Sequence, residues 1–197
     1  MATAHTRDDQ LETVLMRVLR DAGARGLAGL YATADTLRPL LEFTRDDVAA
    51  YAFERDVKWV DDPTNESMRY FRNRVRRDLL PALARVNPAF GEQLLGLSRR
   101  AGEWRARLDA VVARLAHVSP SRESVSVSVG DLSPYSPAEL SSVWPAIAAR
   151  VGLAMDWRGT ARAAAFTNAS RTGSRIQLSG GWEIARSRQQ FELRRWR

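Results

Sequence analysis

Cysteine is absent from the 197 residues, which excludes disulfide staples, thiolate metal sites and a cysteine nucleophile. Histidine is scarce: His5 and His117 are too few for a histidine-rich metal cage, and no metal ligands are assigned. Lysine is scarcer still, since Lys58 is the single one among thirty basic side chains. No apolar run approaches the roughly 20 residues that cross a bilayer, and a polar segment rather than a signal peptide follows Met1. These absences predict a protein of the reducing cytoplasm with no membrane partner. The length suffices for one good core or two small ones.

What is plentiful is positive charge, +7 overall and nearly all arginine. Codon usage in a G- and C-rich genome produces such a bias alone, so clustering is the informative feature. From Arg69 to Arg107 there are ten arginines against three acids, Asp78, Glu92 and Glu103. Such a patch gives a phosphate backbone a salt-sensitive dock and favours RNA or DNA over a membrane.

The strongest helical pattern is Leu11, Val14, Leu15, Val18 and Leu19, with Asp8 and Asp9 in the first turn and Gly23 and Gly26 at its end. Asp9 and Glu12 then share a face, with His5 just ahead. Two carboxylates at that spacing can hold a cationic amine or a metal ion, although such acids more often cap helices. Leu37 to Leu41 reads as a short strand or extended link. Thr44 to Asp47 resembles a helix start, with Val48, Tyr51 and Ala52 as the buried side.

The turn Asp61-Asp62-Pro63-Thr64-Asn65 leads into a predicted helix. There Arg69, Arg72 and Arg76 form one stripe, and Phe71, Val75 and Leu79 form an apolar row. A solvated charged face is the plain alternative for the arginines, and an Asx turn capping the next helix is the alternative for Asp62 and Asn65. Pro81 marks a kink, and Asn87-Pro88 a break.

A long helix is expected from Ala89 to about His117, with Phe90, Leu94, Leu97, Ala101, Trp104, Leu108, Val111 and Leu115 as its seam. An intrachain bundle is favoured over a dimeric coiled coil, because Ala and Trp in so short a seam specify a partner poorly. Ser119-Pro120-Ser121 suggests a subdomain joint, and Val125, Val127 and Val129 alternate as in a strand. Helices follow from Pro137 to Gly152 and from Arg158 to Thr167. A small β-meander, with a Gly180-Gly181 turn, closes the chain.

Several segments taken in order resemble one family. They are Ala4-His5-Thr6-Arg7-Asp8-Asp9-Gln10-Leu11-Glu12-Thr13, Gly26-Leu27-Ala28-Gly29-Leu30, Arg38-Pro39-Leu40-Leu41, Trp59-Val60 with the acidic turn, Arg72-Asn73-Arg74-Val75-Arg76, and Leu80-Pro81. Together they are similar to the tRNA(Ile)-lysidine synthetase family of PP-loop ATP pyrophosphatases, strongly over residues 1 to about 100 and in outline beyond.

The resemblance implies that ATP, with Mg2+, adenylates the C2 oxygen of the wobble cytidine of tRNA(Ile). The ε-amine of L-lysine then displaces AMP. Asp9, Glu12 and Arg76 match catalytic positions, and His5, Asp62, Asn65, Arg72 and Asn73 match substrate- or nucleotide-binding ones. The implied fold class is α+β and predominantly helical. Residues 1–42 would be the remnant of a PP-loop α/β nucleotide-binding domain, 43–118 a helical region, and 119–197 a small α+β substrate-contact subdomain with the meander.

The family's Ser-Gly-Gly-x-Asp-Ser phosphate loop has no counterpart: Ser179-Gly180-Gly181 continues as Trp182-Glu183 and reads as a hairpin turn. The expectation is therefore an N-terminally truncated synthetase, inactive alone, with a homodimer left open. A non-enzymatic tRNA-binding module and another PP-loop tRNA-modifying enzyme are the alternatives.

Overall fold

The computed structural model describes residues 1–32, 36–60 and 62–196, so Asp61 of the acidic turn lies outside the described residues. The chain is α+β and mainly helical, and it divides into two compact units, Met1–Ala106 and Arg107–Arg197. Among the described residues no helix is long and apolar enough to cross a membrane.

The first unit is built on α1 (Arg7–Val18), whose start is fixed by Asp9 accepting from the backbone N–H and hydroxyl of Thr6 at 2.8 and 3.0 Å. The helix ends at Leu19, earlier than the glycines suggested. Gly23 instead caps the short α2 (Ala24–Leu27), and a 3-10 turn, Gly29–Tyr31, follows. Leu37 makes a single bridge to Ala2, and Pro39 to Glu42 is turn rather than strand.

Helix α3 (Arg45–Glu54) opens with a capping box of Thr44 and Asp47 as its sequence predicts. It has no buried residue, however, and Tyr51 of the expected buried side is 59% exposed. A 3-10 turn, Pro63–Glu66, precedes a continuous helical run: α4 (Phe71–Arg74), a π-helical turn (Val75–Leu79) and α5 (Leu80–Val86). Arg69 lies in the turn before this run, so the expected three-arginine stripe reduces to Arg72 and Arg76. Pro81 explains the π turn: it cannot donate to the carbonyl four residues back, and just ahead of it the Leu80 N–H reaches Val75, five residues back.

Val75, Val14, Leu15 and Leu94 form the core of this unit, with Phe71 and Leu79 against it. Here the apolar row read from sequence holds. The start of α6 (Phe90–Leu115) supplies the remaining wall, but the expected seam is rotated by about one residue. Leu95 and Ser98 are buried, whereas Leu97 is 40% exposed. Ser98 is needed inside because Gln10, also fully buried, donates to Ser98 Oγ at 2.6 Å and to Ala28 O at 3.1 Å, and accepts from the Leu30 N–H at 2.6 Å.

In the second unit the end of α6 passes directly into β1 (Ala116–Val118), so His117 is on a strand rather than a helix. Ser119-Pro120-Ser121, expected as a joint, begins the turn into β2 (Ser124–Ser128), and Val129 already belongs to α7 (Val129–Leu132). Next come α8 (Pro137–Ala149), α9 (Trp157–Ala169), β3 (Arg175–Leu178), β4 (Trp182–Arg186) and β5 (Gln190–Arg195).

The meander extends into a five-stranded antiparallel sheet of order β1-β2-β5-β4-β3. Pairing of Val125 with Leu193 and Val127 with Phe191 sets the register that turns the serines of β2 to the other face. Trp144 of α8 meets Phe191 edge-on at 6.1 Å and donates to Thr167 Oγ1 at 2.7 Å, which satisfies its buried N–H. Ser179-Gly180-Gly181 forms the β3–β4 turn, with both glycines at positive φ.

Gly29 adopts φ +57, and a Cβ there would lie 2.6 Å from Gln10 Oε1. Gly29→Ala should therefore destabilise the protein by about 1–3 kcal/mol through backbone strain and the displaced Gln10 amide. Urea unfolding at equilibrium measures the loss.

Candidate functional site

Glu12 is the centre of the site. It lies on α1, 1% exposed, and a carboxylate so buried requires charged or hydrogen-bonding partners. The 71–86 helical run supplies them: Arg72 Nε donates to Glu12 Oε2 at 2.6 Å, and Arg76 Nε and Nη2 donate to Oε1 and Oε2 at 2.5 and 3.1 Å. Asp9, one turn earlier, accepts from Arg72 Nη2 at 2.7 Å through Oδ1, while its Oδ2 receives Thr6. The site thus brings together Asp9, Glu12, Arg72 and Arg76; helical spacing pairs the two acids and the two arginines separately, and only the family resemblance had joined them.

Arg45, at the start of α3, joins them. Its Nη2 lies 3.4 Å from Asp9 Oδ1 and 3.7 Å from Glu12 Oε1, and its backbone N–H donates to Asp8 Oδ2 at 2.7 Å. Sequence reasoning missed this residue. The capping signal at Thr44 fixed its place on a helix, but no local spacing connects residue 45 with residues 9 and 12.

The electrostatics follow from these contacts. Burial alone would raise the Asp9 pKa, but the Thr6 hydrogen bonds and the charges of Arg72 and Arg45 outweigh it and leave the carboxyl below its ordinary value. The hydrogen bond to Glu12 holds Arg76 above its usual value, against the opposing effect of burial and with help from the charges of Glu12, Asp9 and Asp8.

The other expected site residues stand differently. Asp62 accepts from the Thr64 N–H at 2.8 Å, which depresses its pKa and closes an Asx turn at an exposed position. Asn65 gives its backbone N–H to Asp62 O at 3.0 Å. Asn73 is buried, and its amide donates to Thr64 O and Ser67 O at 2.9 and 2.8 Å, tethering the turn to the arginine helix. His5 Nδ1 lies 2.8 Å from Thr3 Oγ1. Among the described residues no hydrogen bond joins the His5, Asp62, Asn65 or Asn73 side chains to Glu12.

A cleft of about 260 Å3 adjoins the ion cluster, lined by Asp8, Glu12, Arg45 and Arg76 and by apolar residues including Leu80 and Phe90. The Arg76 guanidinium, fixed on Glu12 at its wall, suits a phosphate or carboxylate. Mg2+ fits less well. Among the described residues no group of three or more histidines or acids is arranged to hold a metal ion, and Asp8, Asp9 and Glu12 are engaged by backbone N–H groups or arginines.

Comparison with known proteins bears on the same residues. Positions 1–83, which include the whole cluster, match the model of the PP-loop domain family. The chain aligns over its full length, at 35% identity, with 45% of the tRNA(Ile)-lysidine synthase of Xanthomonas campestris pv. campestris. It is a homologue of the tRNA(Ile)-lysidine synthases.

Those of Methylococcus capsulatus and Solibacter usitatus are 40% and 43% identical over 120 residues, which are 58% and 57% of this chain. The match spans 27% of each of these two synthases, so the chain covers only part of the length of its synthase relatives.

Two outcomes test the cluster. Glu12→Gln removes the charge that holds two arginines and should cost about 3 kcal/mol in urea unfolding, since a broken buried pair leaves its partners uncompensated. Asp9 has a depressed folded pKa, so its contribution is complete above the ordinary carboxylate value of about 4 and is lost as pH falls through the folded value. Stability measured from pH 6 to pH 2 should drop below about pH 4, and Asp9→Asn should flatten that drop.

Proposed function

We propose that this chain contributes the amine- and phosphate-handling side of an ATP-dependent tRNA(Ile)-lysidine synthase. The observation that carries the proposal is the convergence of Arg72 and Arg76 on buried Glu12, beside Asp9 and an open cleft. The substrates on this reading are tRNA(Ile), L-lysine and ATP. The C2 oxygen of the wobble cytidine attacks the α-phosphorus and pyrophosphate leaves. The lysine ε-amine then attacks C2 and AMP departs with the oxygen.

Arg76, with Arg72 beside it, stabilises negative charge developing on the phosphate, and its fixed position avoids reorganisation at the moment of reaction. Asp9 and Glu12 aim those guanidiniums and orient the lysine ammonium. Asn73 holds the turn that carries Asp62 and Asn65 at the edge of the nucleotide site, with His5 near the α1 start as a further nucleotide contact. Mg2+ would be held by the nucleotide phosphates, since among the described residues no group of three or more acids or histidines is arranged to take it. The reaction belongs to the cytoplasm, with the helical region and the second unit contacting tRNA, and a homodimer is compatible with it.

A Ser-Gly-Gly-x-Asp-Ser pyrophosphate cradle is not among the 197 residues, so the chain by itself should not turn over. Incorporation of labelled lysine into tRNA(Ile) with ATP tests this. The expected result is no product from the chain alone and product once a loop-bearing synthase segment is added. Robust turnover by the chain alone would refute the division of labour.

The ten arginines between Arg69 and Arg107 favour a second reading, a non-enzymatic tRNA-binding module. It predicts tRNA binding indifferent to ATP, with Arg72→Ala and Arg76→Ala each lowering the salt slope by about one. Filter binding across a salt series separates the two readings.

A further inference from the structure

Three carboxylates gather at the start of α1, Asp8, Asp9 and Glu12. Two guanidiniums are held tightly against them, Arg72 and Arg76, at 2.5–2.7 Å through their nearest atoms. That leaves one negative charge, and Arg45 balances it from 3.4 and 3.7 Å, through longer contacts than those of Arg72 and Arg76 and from a half-exposed side chain. The near positions on Asp9 Oδ1 and Glu12 Oε1 are already taken by Arg72 Nη2 and Arg76 Nε.

We propose that Arg45 is a displaceable placeholder, whose guanidinium occupies the place between Asp9 and Glu12 that an incoming primary ammonium takes. The proposal rests on the role given above to the acidic pair and adds the cation exchange at that pair.

Five points support it. An ammonium is a compact charge with three freely directed donors, so it can approach both carboxylates. Arg45 has a way out: its side chain is 43% exposed and lines the cleft. Its departure need not move the backbone, since the Arg45 N–H stays on Asp8, the Arg7 N–H donates to Phe43 O at 2.8 Å, and the Thr44 box keeps α3 capped. Leu11, Leu80 and Phe90 on the cleft wall suit the aliphatic stem behind such an ammonium. Exchange keeps the cluster neutral, whereas adding a cation without releasing Arg45 would not.

The test is binding of L-lysine and n-butylamine to the 197-residue chain by calorimetry, with n-butanol as the uncharged control. Arg45→Gln removes a competitor worth no more than an exposed ion pair, so both amines should bind about fivefold tighter while butanol is unchanged. Arg45→Lys, which supplies its own ammonium, should bind them no tighter than the wild type. Arginine side-chain NMR of the wild type should show one guanidinium released as lysine is added, a readout independent of any variant. Amine binding that is unchanged or weakened in Arg45→Gln overturns the exchange and leaves the acidic-pair role standing. Absence of amine binding in both proteins overturns that role as well.

Discussion

A carboxylate with almost no access to water is the constraint on which the first unit depends. Moving an ion of that size out of water costs several kcal/mol, and only close opposing charge offsets it. Glu12 can therefore be buried only together with its arginines, which lie sixty and sixty-four residues further along. Docking Arg72 and Arg76 on α1 sets which side of the 71–86 run faces inward. Val75, between them, then meets Val14 and Leu15. Polar matching and apolar packing select the same helix orientation.

The same strut serves two directions. Gln10 reaches α6 and the 27–30 loop with its amide, while Glu12, two residues on, reaches the arginine helix with its carboxylate. Adjacent residues on that helix divide their work likewise: Arg72 turns to α1, and Asn73 turns to the carbonyls of Thr64 and Ser67. The Asx turn is in this way coupled to the acidic pair through two neighbouring side chains, with no contact of Asp62 to Glu12 required.

Much of this was legible where one helical or strand period decides burial. The Val14 and Leu15 core of the α1 stripe, the helix start at Thr44, α8 from Pro137 and the alternation in β2 and β5 follow from local patterns, whereas Val18 and Leu19 of the expected stripe are exposed and β4 buries Glu183 beside Trp182 and Ile184. Family resemblance added which acids and arginines to watch, and Asp9, Glu12, Arg72 and Arg76 do meet. The misses have long-range causes. The α6 seam is offset because Gln10 draws the small polar Ser98 inside, a preference that hydrophobic spacing cannot register. Tyr51 of α3 is exposed although its spacing suits a buried face, because period alone does not provide a surface to pack against. Arg45 enters through tertiary contacts, and Arg69 drops out because the helix starts after Tyr70.

The strand order of the second unit bears on how that unit comes to exist. The last strand in chain order, β5, lies between β2 and β4, so two separate hairpins flank a gap until it inserts. During synthesis on a ribosome, α8 and α9 emerge before the sheet they cover is whole, and the nascent chain has to hold Trp144 and Ile184 uncovered through that interval. The unit's cooperative closure thus belongs to Phe191 and Leu193, late arrivals that join both halves at once.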